Sequence, residues 1–361
     1  MAFIHQMEPW IDENEVNHMT EYLRSGGWLT EFKKTAEFEQ MIADYTGSQF
    51  CCVVSNGTVS LAIALWAAGI GEGDEVLVPN FTMIATPNAV RLVGARPVLV
   101  DVEPQTLCMD LDCARKAITP KTKAIALVSL NGRAPDMAAY QDFCKEYDLF
   151  FLEDAAQSLG SFQNGKHIGT FGEIGSFSFS SPKIITTGQG GALVTNDELL
   201  YHKIKKIKDF GREKGGADWH DEMGYNFKFT DIQAVIGIEQ MKKLSARVKR
   251  KKEIYQLYVS QLSEIKFLEF IPTSGETSPW FVDVYLENPS ELLNFLKSHQ
   301  VGTRPVYPPI NHQKLYADER KYPVSERYCC LGLWLPSSSF LADDQVLHIC
   351  KLIKTFFSQN I

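Results

Sequence analysis

The sequence predicts an α/β protein built on a largely parallel sheet with helices on both faces, followed by a smaller α/β lobe. Three observations predict it. Between residues 50 and 152, short apolar runs alternate with amphipathic helical patterns, as repeated βα units do. The run 149–152 (LFFL) is apolar at every position, as a strand buried on both faces is, and it stops at Glu153-Asp154. After about residue 230 a long helical pattern over 232–262 carries the chain away from that alternation.

Residues 1–50 mix short helical patterns with a turn at Gly26-Gly27. From Thr35 on, Phe38, Ile42 and Tyr45 recur at helical spacing, and Gly47 closes that helix. Residues 50–54 (FCCVV) read as a strand, Ser55-Asn56-Gly57-Thr58 as a turn and helix start, and 59–68 as the helix. Strands follow at 75–78, 96–100, 124–130 and 149–152, with helices at 85–93, 111–118 and 136–146 between them. In the stretch 175–191, GSFSFSSPKIITTGQGG, Phe177 and Phe179 alternate with serines as in a strand. Gly188, Gly190 and Gly191 then make a turn before a second strand at 192–195. Beyond the long helix, 267–271 and 281–286 read as strands and 291–299 and 343–357 as helices. No Pro/Gly/Ser-rich linker separates the two parts, so the long helix is the connection. This places a large domain at 1–240, with its N-terminal helical segment, and a small domain at 241–361.

With 45% hydrophobic and 22% charged residues, the 361-residue chain has the composition of a globular protein in water. Thirty-six basic residues against 44 acidic ones give a net charge of −8, which argues against a nucleic-acid partner. The one basic run, 247–252 (RVKRKK), reads as the solvated face of a helix. Eight cysteines form no CxxC pair and several sit in apolar runs, as reduced thiols of a cytoplasmic protein do. The start, MAFIHQMEPW, lacks the pattern of a signal peptide, and no apolar run is long enough to span a membrane. The eight histidines show no HxxxH or HxH spacing, so no metal site is expected.

Candidate chemistry sits at four corners of this fold, since ligands of such sheets bind at the carboxyl ends of strands. Lys183 is the only charged residue between Glu173 and Asp197. Desolvation in that small, apolar setting lowers the pKa of an amine and leaves it able to attack a carbonyl. Asp154 closes the apolar strand, where a carboxylate can pair with a ring nitrogen. Gly57, at the start of a helix, lets the backbone approach an anion. The segment 224–231 (GYNFKFTD) leads into the long helix; Thr230-Asp231 would serve as its cap, which leaves Asn226 unexplained. An amine for an aldehyde, an acid for a ring nitrogen and donors for a phosphate are what pyridoxal phosphate requires.

The ordered motifs DEVLVPNFT, EDAAQS, GSFSFSSPKIITTGQGG and GYNFKFTDIQAVIG resemble the DegT/StrS family of sugar-nucleotide aminotransferases, from about Trp28 to Leu335. That resemblance implies a fold-type I transferase with a seven-stranded, mostly parallel sheet and pyridoxal 5′-phosphate as cofactor. It implies that Lys183 bonds to the cofactor and then serves as acid and base, and that Asp154 binds the pyridine nitrogen. It places Gln157 near the ring oxygen, and Gly57, Thr58 and Ser178 at the phosphate. Asn226 would reach the phosphate of a neighbouring subunit, which makes the enzyme a homodimer with composite sites. The segment 303–309 (TRPVYPP) with His312 resembles a loop that binds 4-keto-6-deoxy sugar nucleotides, with Arg304 on the diphosphate and Tyr307 and His312 on sugar hydroxyls.

Two departures stand out. Met83 occupies the place where relatives stack an aromatic ring on the cofactor; a thioether can pack on the same face. Leu130-Asn131-Gly132-Arg133 replaces a histidine-tyrosine-glycine type segment, and Arg133 is a candidate contact for a substrate phosphate or acid group. The resemblance implies transfer of the amine of L-glutamate, yielding 2-oxoglutarate, to C4 of a keto sugar nucleotide for bacterial O-antigen or other surface polysaccharide. Amination at C3 and a cofactor-dependent sugar dehydratase are the alternatives on this fold. Dehydratase relatives carry histidine at the lysine position, so Lys183 argues against that one. Intact Lys183, Asp154 and Ser178 argue against a catalytically silent binding protein.

Overall fold

The computed structural model describes residues 3–213 and 218–360. Two helices open the chain, α1 (Glu13–Arg24) and α2 (Lys33–Thr46). The βα alternation follows as β1 (Phe50–Val54), α3 (Gly57–Ala67), β2 (Glu75–Pro79), α4 (Ala85–Leu92), β3 (Arg96–Val100), α5 (Leu111–Ala117), β4 (Thr122–Val128), α6 (Met137–Tyr147) and β5 (Phe150–Asp154). A two-strand hairpin, β6 (Phe162–Gln163) and β7 (Lys166–His167), precedes β8 (Ile174–Ser178), β9 (Gly191–Thr195) and α7 (Glu198–Lys208). The long helix α8 (Asp231–Leu262) leads to β10 (Val282–Tyr285), α9 (Pro289–Ser298), β11 (Arg304–Pro305), α10 (Pro323–Leu331), β12 (Gly332–Leu335) and α11 (Asp343–Asn360).

The main sheet has seven strands in the order β1-β9-β8-β5-β4-β2-β3. Strands β3, β2, β4, β5 and β8 are parallel neighbours, and β9 runs antiparallel to both β8 and β1. The expected seven-stranded, mostly parallel sheet is therefore present. Its strands are apolar throughout because both faces are covered. Cys52 and Val54 enter one core with Val76, Val78 and Leu152, while Cys51 and Val53 enter another with Phe177 and Val194. Helix α3 is buried at Ser60 to Leu65 and at Ala67, which accounts for its nearly uniform apolar sequence.

The small lobe packs the antiparallel sheet β10-β12-β11 and helices α9 and α11 against the second half of α8. Its core holds Ile254, Tyr258, Val284, Leu292, Leu333, Ile349 and Ile353, together with Ile4 from the start of the chain. The first half of α8 lies on the large lobe, against α1 and α2. The expected strand at 267–271 is reduced to one bridge, Glu269 with Tyr285. Pro272 follows and has no N–H to extend the ladder. Strands β11 and β12, of two and four residues, are too short to show a period in the sequence.

The two lobes are tied by buried polar contacts. Asn80, just after β2, donates to Asn311 Oδ1 (2.9 Å) and Ser325 Oγ (2.8 Å) and accepts from the Asn311 N–H (2.8 Å). Asp101 accepts from the N–H groups of Val324 (3.0 Å) and Ser325 (2.9 Å), capping α10 from across the lobe boundary. The turn 310–312 is thereby pinned to the carboxyl end of the main sheet.

Candidate active site

Strands β1, β5 and β8 run in one sense, so their carboxyl ends open on one edge. There Gly191 is the register partner of both Val54 and Ser178. A Cβ on Gly191 would fall 2.6 Å from the Asn56 carbonyl, and one on Gly57 would fall 2.9 Å from Ser178 Cβ. Glycine at both positions lets the β1–α3 corner close onto β8. Asn56 caps α3 by accepting the Val59 N–H at 2.9 Å. The N–H groups of Gly57 and Thr58 have no hydrogen-bond partner among the described residues, and a Cβ on Gly57 would fall 3.2 Å from Ser178 Oγ. That cradle has the donor set and the helix polarity of an anion site.

Asp154 ends β5 and is buried. It accepts from Thr86 Oγ1 at 2.7 Å and from the Ala156 N–H at 3.2 Å. Burial raises its carboxyl above the usual range, and the Thr86 hydrogen bond and the Lys183 charge partly offset this. Lys183 follows β8 in a turn closed by its N–H to Ser180 O (3.0 Å). Burial pushes its amine down to about 8 while Asp154 acts in the opposite sense. Its Nζ lies 4.1 Å from the centre of the Trp280 ring. Gln157, Ser178, Lys183, Phe177, Ser278 and Trp280 line one cleft. Gln157 is buried and accepts the Asn131 N–H at 2.8 Å.

The structure brings Lys183, Asp154, Gln157, Ser178, Gly57 and Thr58 together, and Tyr307 beside them. Burial raises the Tyr307 phenol; Arg304 opposes this and Asp154 adds to it. Arg304 is exposed, with its guanidinium 5.3 Å from the Trp334 ring and 5.9 Å from the Tyr307 ring. Three candidates have no side-chain hydrogen bond or ion pair to these groups. Met83 is 44% exposed in the turn before α4, and its sulfur accepts the Ala85 N–H. His312 is exposed and faces Glu326 at 3.7 Å. Asn226 is exposed and joined through its backbone to Asp209, outside the cleft of its own chain.

Two readings need correction. Arg133 does not face a ligand: it is 2% exposed and forms a two-pronged ion pair with Asp283, both bonds 2.9 Å, while its Nε donates to Thr106 O. A guanidinium that deep is stable only when paired, and this one joins the β4 exit to β10. The basic run is not wholly solvated either. Arg247 and Lys251, one turn apart on α8, are 2% and 1% exposed and face inward. The expected cap at Thr230-Asp231 divides: Thr230 caps α8, whereas Asp231 accepts from the N–H groups of Phe32, Lys34 and Thr35.

Sequence reasoning missed Thr86, Asn131 and Trp280. Thr86 carries a faint signal, three residues beyond Met83 in the segment after β2; Trp280 carries none, since it stands 98 positions from the carbonyl it binds. No group of three or more His, Cys, Asp or Glu residues placed to hold a metal occurs among the described residues. No helix among them is long and apolar enough to cross a membrane.

The cradle of free N–H groups, the buried carboxylate and the desolvated amine fit a phosphate-bearing pyridine aldehyde: donors for its phosphate, an acid for its ring and an amine for its carbonyl. The sequence model of the DegT/DnrJ/EryC1/StrS aminotransferase family matches residues 9–354. The GDP-perosamine synthase of Escherichia coli O157:H7 is 36% identical over 364 residues, covering 100% of both chains. That of Vibrio cholerae is 34% identical over 360 residues, covering 97% of this chain and 98% of its own. The crystal structure of the aminotransferase TlmJ from Streptoalloteichus hindustanus superposes with a TM-score of 0.94 at 29% identity, covering 99% of each chain.

Proposed function

The chain belongs to the DegT/DnrJ/EryC1/StrS aminotransferase family and is a pyridoxal-phosphate enzyme, and from that premise we propose that it passes the amino group of L-glutamate to C4 of a nucleotide-linked 4-keto-6-deoxy sugar. The sugar nucleotide we infer is that of GDP-perosamine formation, supported by the names of relatives that align over the whole chain. The observation that carries the reading is a desolvated amine, Lys183, within the electrostatic reach of a buried carboxylate, Asp154, at the carboxyl edge of the sheet.

Pyridoxal phosphate, when bound, supplies an aldehyde that carries the amino group and a ring that accepts the electrons released at the reacting carbon. In this reading the N–H groups of Gly57 and Thr58 and the Ser178 hydroxyl hold the phosphate, and Asp154 keeps a proton on the ring nitrogen. Thr86 orients Asp154 by donating to Oδ2. Lys183 Nζ takes a proton from one carbon and returns it to another; a pKa of about 8 leaves both its forms accessible near neutral pH. Gln157, in the wall of the cleft, accepts the Asn131 N–H and so fixes that segment. Arg304 and Tyr307 would hold the sugar nucleotide, and Met83 would offer its thioether to a face of the cofactor ring.

We assign Asn226 to the phosphate of a second subunit, because its side chain is exposed outside its own cleft. The enzyme would thus be a homodimer with shared sites, working in the cytoplasm on precursors of a surface polysaccharide such as O-antigen. The test is isotopic. Glutamate labelled with nitrogen-15 is incubated with protein and GDP-4-keto-6-deoxymannose, and the sugar nucleotide is weighed. Label in an amino sugar supports the reading; unlabelled keto sugar together with labelled glutamate refutes it.

A further inference from the structure

Trp280 stands at the entrance to β10, in the small lobe, yet it closes the cleft over Lys183. Its indole N–H donates to Pro182 O at 2.8 Å, on the residue before Lys183. Its own backbone is held twice more: its N–H donates to Asn131 O (3.2 Å), and its carbonyl accepts from Lys251 Nζ (2.6 Å). Lys251 also donates to Ser337 O. One turn earlier on α8, Arg247 Nη1 donates to Ile184 O at 3.1 Å, on the residue after Lys183. The carbonyls on either side of Lys183 are therefore both held by side chains from outside the main sheet. The Phe281 ring, 3.8 Å centre to centre and tilted 22°, stacks on Trp280 and backs it.

A lysine stem has four rotatable bonds and its ammonium is strongly hydrated when free. An aromatic face attracts that ammonium and excludes water from one side of it. We propose that Trp280, seated by Lys251, is a positioning residue for Lys183, which confines the amine to one side of the cleft and bars solvent from it. The proposal rests on the assignment of Lys183 as the reacting amine, but its test reads the amine without that chemistry.

Cofactor-free protein is reductively methylated with formaldehyde and a borohydride across neutral to alkaline pH, and Lys183 is followed by peptide mass spectrometry. Lys249, with 81% of its side chain exposed, is the internal reference. In Trp280→Ala the limiting rate at Lys183 should rise about tenfold relative to Lys249, and its titration midpoint should move up, because the water that enters solvates the ammonium better than the lost ring face attracted it. Trp280→Phe keeps a ring and loses the indole N–H, so it should fall between. Lys251→Met leaves the ring but removes its seat, and should shift Lys183 in the same direction as Trp280→Ala by a smaller factor. In the loaded enzyme the same variants should lower kcat with KM held within about threefold. If Trp280→Ala does not fold, Trp280→Phe and Lys251→Met decide. Rate and midpoint at Lys183 unchanged in the folded variants would overturn the proposal. Mapping the cofactor to another lysine would instead overturn the assignment of Lys183, and the two failures are separable.

Discussion

Two desolvated lysines, the half-buried Lys183 and the buried Lys251, one at each side of the lobe boundary, have been made unusual by the same force and put to different ends. Burial lowers the amine of Lys183 to about 8 and that of Lys251 to about 7. Lys251 is the more deeply buried, has no carboxylate partner among the described residues, and spends its donors on the carbonyls of Trp280 and Ser337. Lys183 has a carboxylate acting on it and lines a cleft with Gln157 and Ser178. The difference teaches that a depressed pKa needs nothing but desolvation. A reactive amine needs, in addition, an opening for a ligand and a charge partner that keeps its proton exchangeable.

The sharpest break between the two comes from deleting each. Lys183→Ala should fold, because Pro182 and Ile184 keep the carbonyl ties on either side. It should lose roughly ten-thousand-fold or more in turnover. Borohydride should leave no cofactor mass on the intact Lys183→Ala protein, whereas Lys251→Met should still acquire it. Cofactor mass fixed to Lys183→Ala would mean that the wrong amine has been chosen.

Asp154→Asn comes next, with a loss of about a hundred- to a thousandfold in kcat and the cofactor still bound, since an amide cannot hold the ring proton. Each tenfold is ~1.4 kcal/mol of barrier. The same change makes Lys183 more like Lys251. Asp154 raises the Lys183 pKa, so its removal should bring the methylation midpoint of Lys183 below its present value of about 8. A midpoint that stays put would show that the carboxylate does not act on the amine.

This contrast also marks what the sequence could tell. The main-sheet half of the site was legible because each part sits at a strand end: Asp154 closes an apolar run, and the Gly188–Gly191 turn follows an alternating one. Gly57 and Gly191 were readable as glycines, though not that Gly57 makes room for Ser178 of β8 and Gly191 for the corner at Asn56. The small-lobe half was illegible. Trp280 binds a carbonyl 98 residues away, Arg247 one 63 residues away and Arg133 a carboxylate 150 residues away, and no local period records such contacts. A run of charge such as 247–252 looks solvated in the sequence, yet a helix turns every fourth of its residues inward, here Arg247 and Lys251. Fold-level reading succeeded on the long elements and failed on β11, β12 and 267–271, whose pairing depends on neighbours distant in the chain.

A smaller effect is expected at Asn226, which tests whether the Lys183 cleft is completed by a second chain while the Lys251 site is complete within one. Asn226→Ala should retain cofactor about tenfold less well in dialysis followed by absorbance, with the fold intact. Mixing Asn226→Ala with Lys183→Ala chains should recover activity through one wild-type site per mixed dimer. Retention equal to wild type, or a monomer in light scattering at working concentration, would remove the shared site.

A last test separates the lysines by stability alone. A lysine whose folded pKa is lowered keeps its proton less well in the folded than in the unfolded state. Below its folded value both states are protonated and the full cost of burying the charge is felt. Between the folded value and about 10.5 the unfolded chain holds more protons, so stability rises with pH by up to ~1.4 kcal/mol per pH unit for each such group. For Lys251 this window opens at about 7, and for Lys183 at about 8. Urea unfolding of the cofactor-free protein should therefore show wild type gaining on Lys251→Met from neutral pH upward, and gaining on Lys183→Met only about one unit later. Replacement of Lys251 leaves the carbonyls of Trp280 and Ser337 short of a donor at every pH, which offsets the curve without tilting it. The slope is thus independent of the packing penalty, and it alone carries the comparison. A pH-independent gap between wild type and Lys251→Met would mean that two carbonyls suffice to hold a buried ammonium at its ordinary pKa, and that Asp154 is not what distinguishes Lys183.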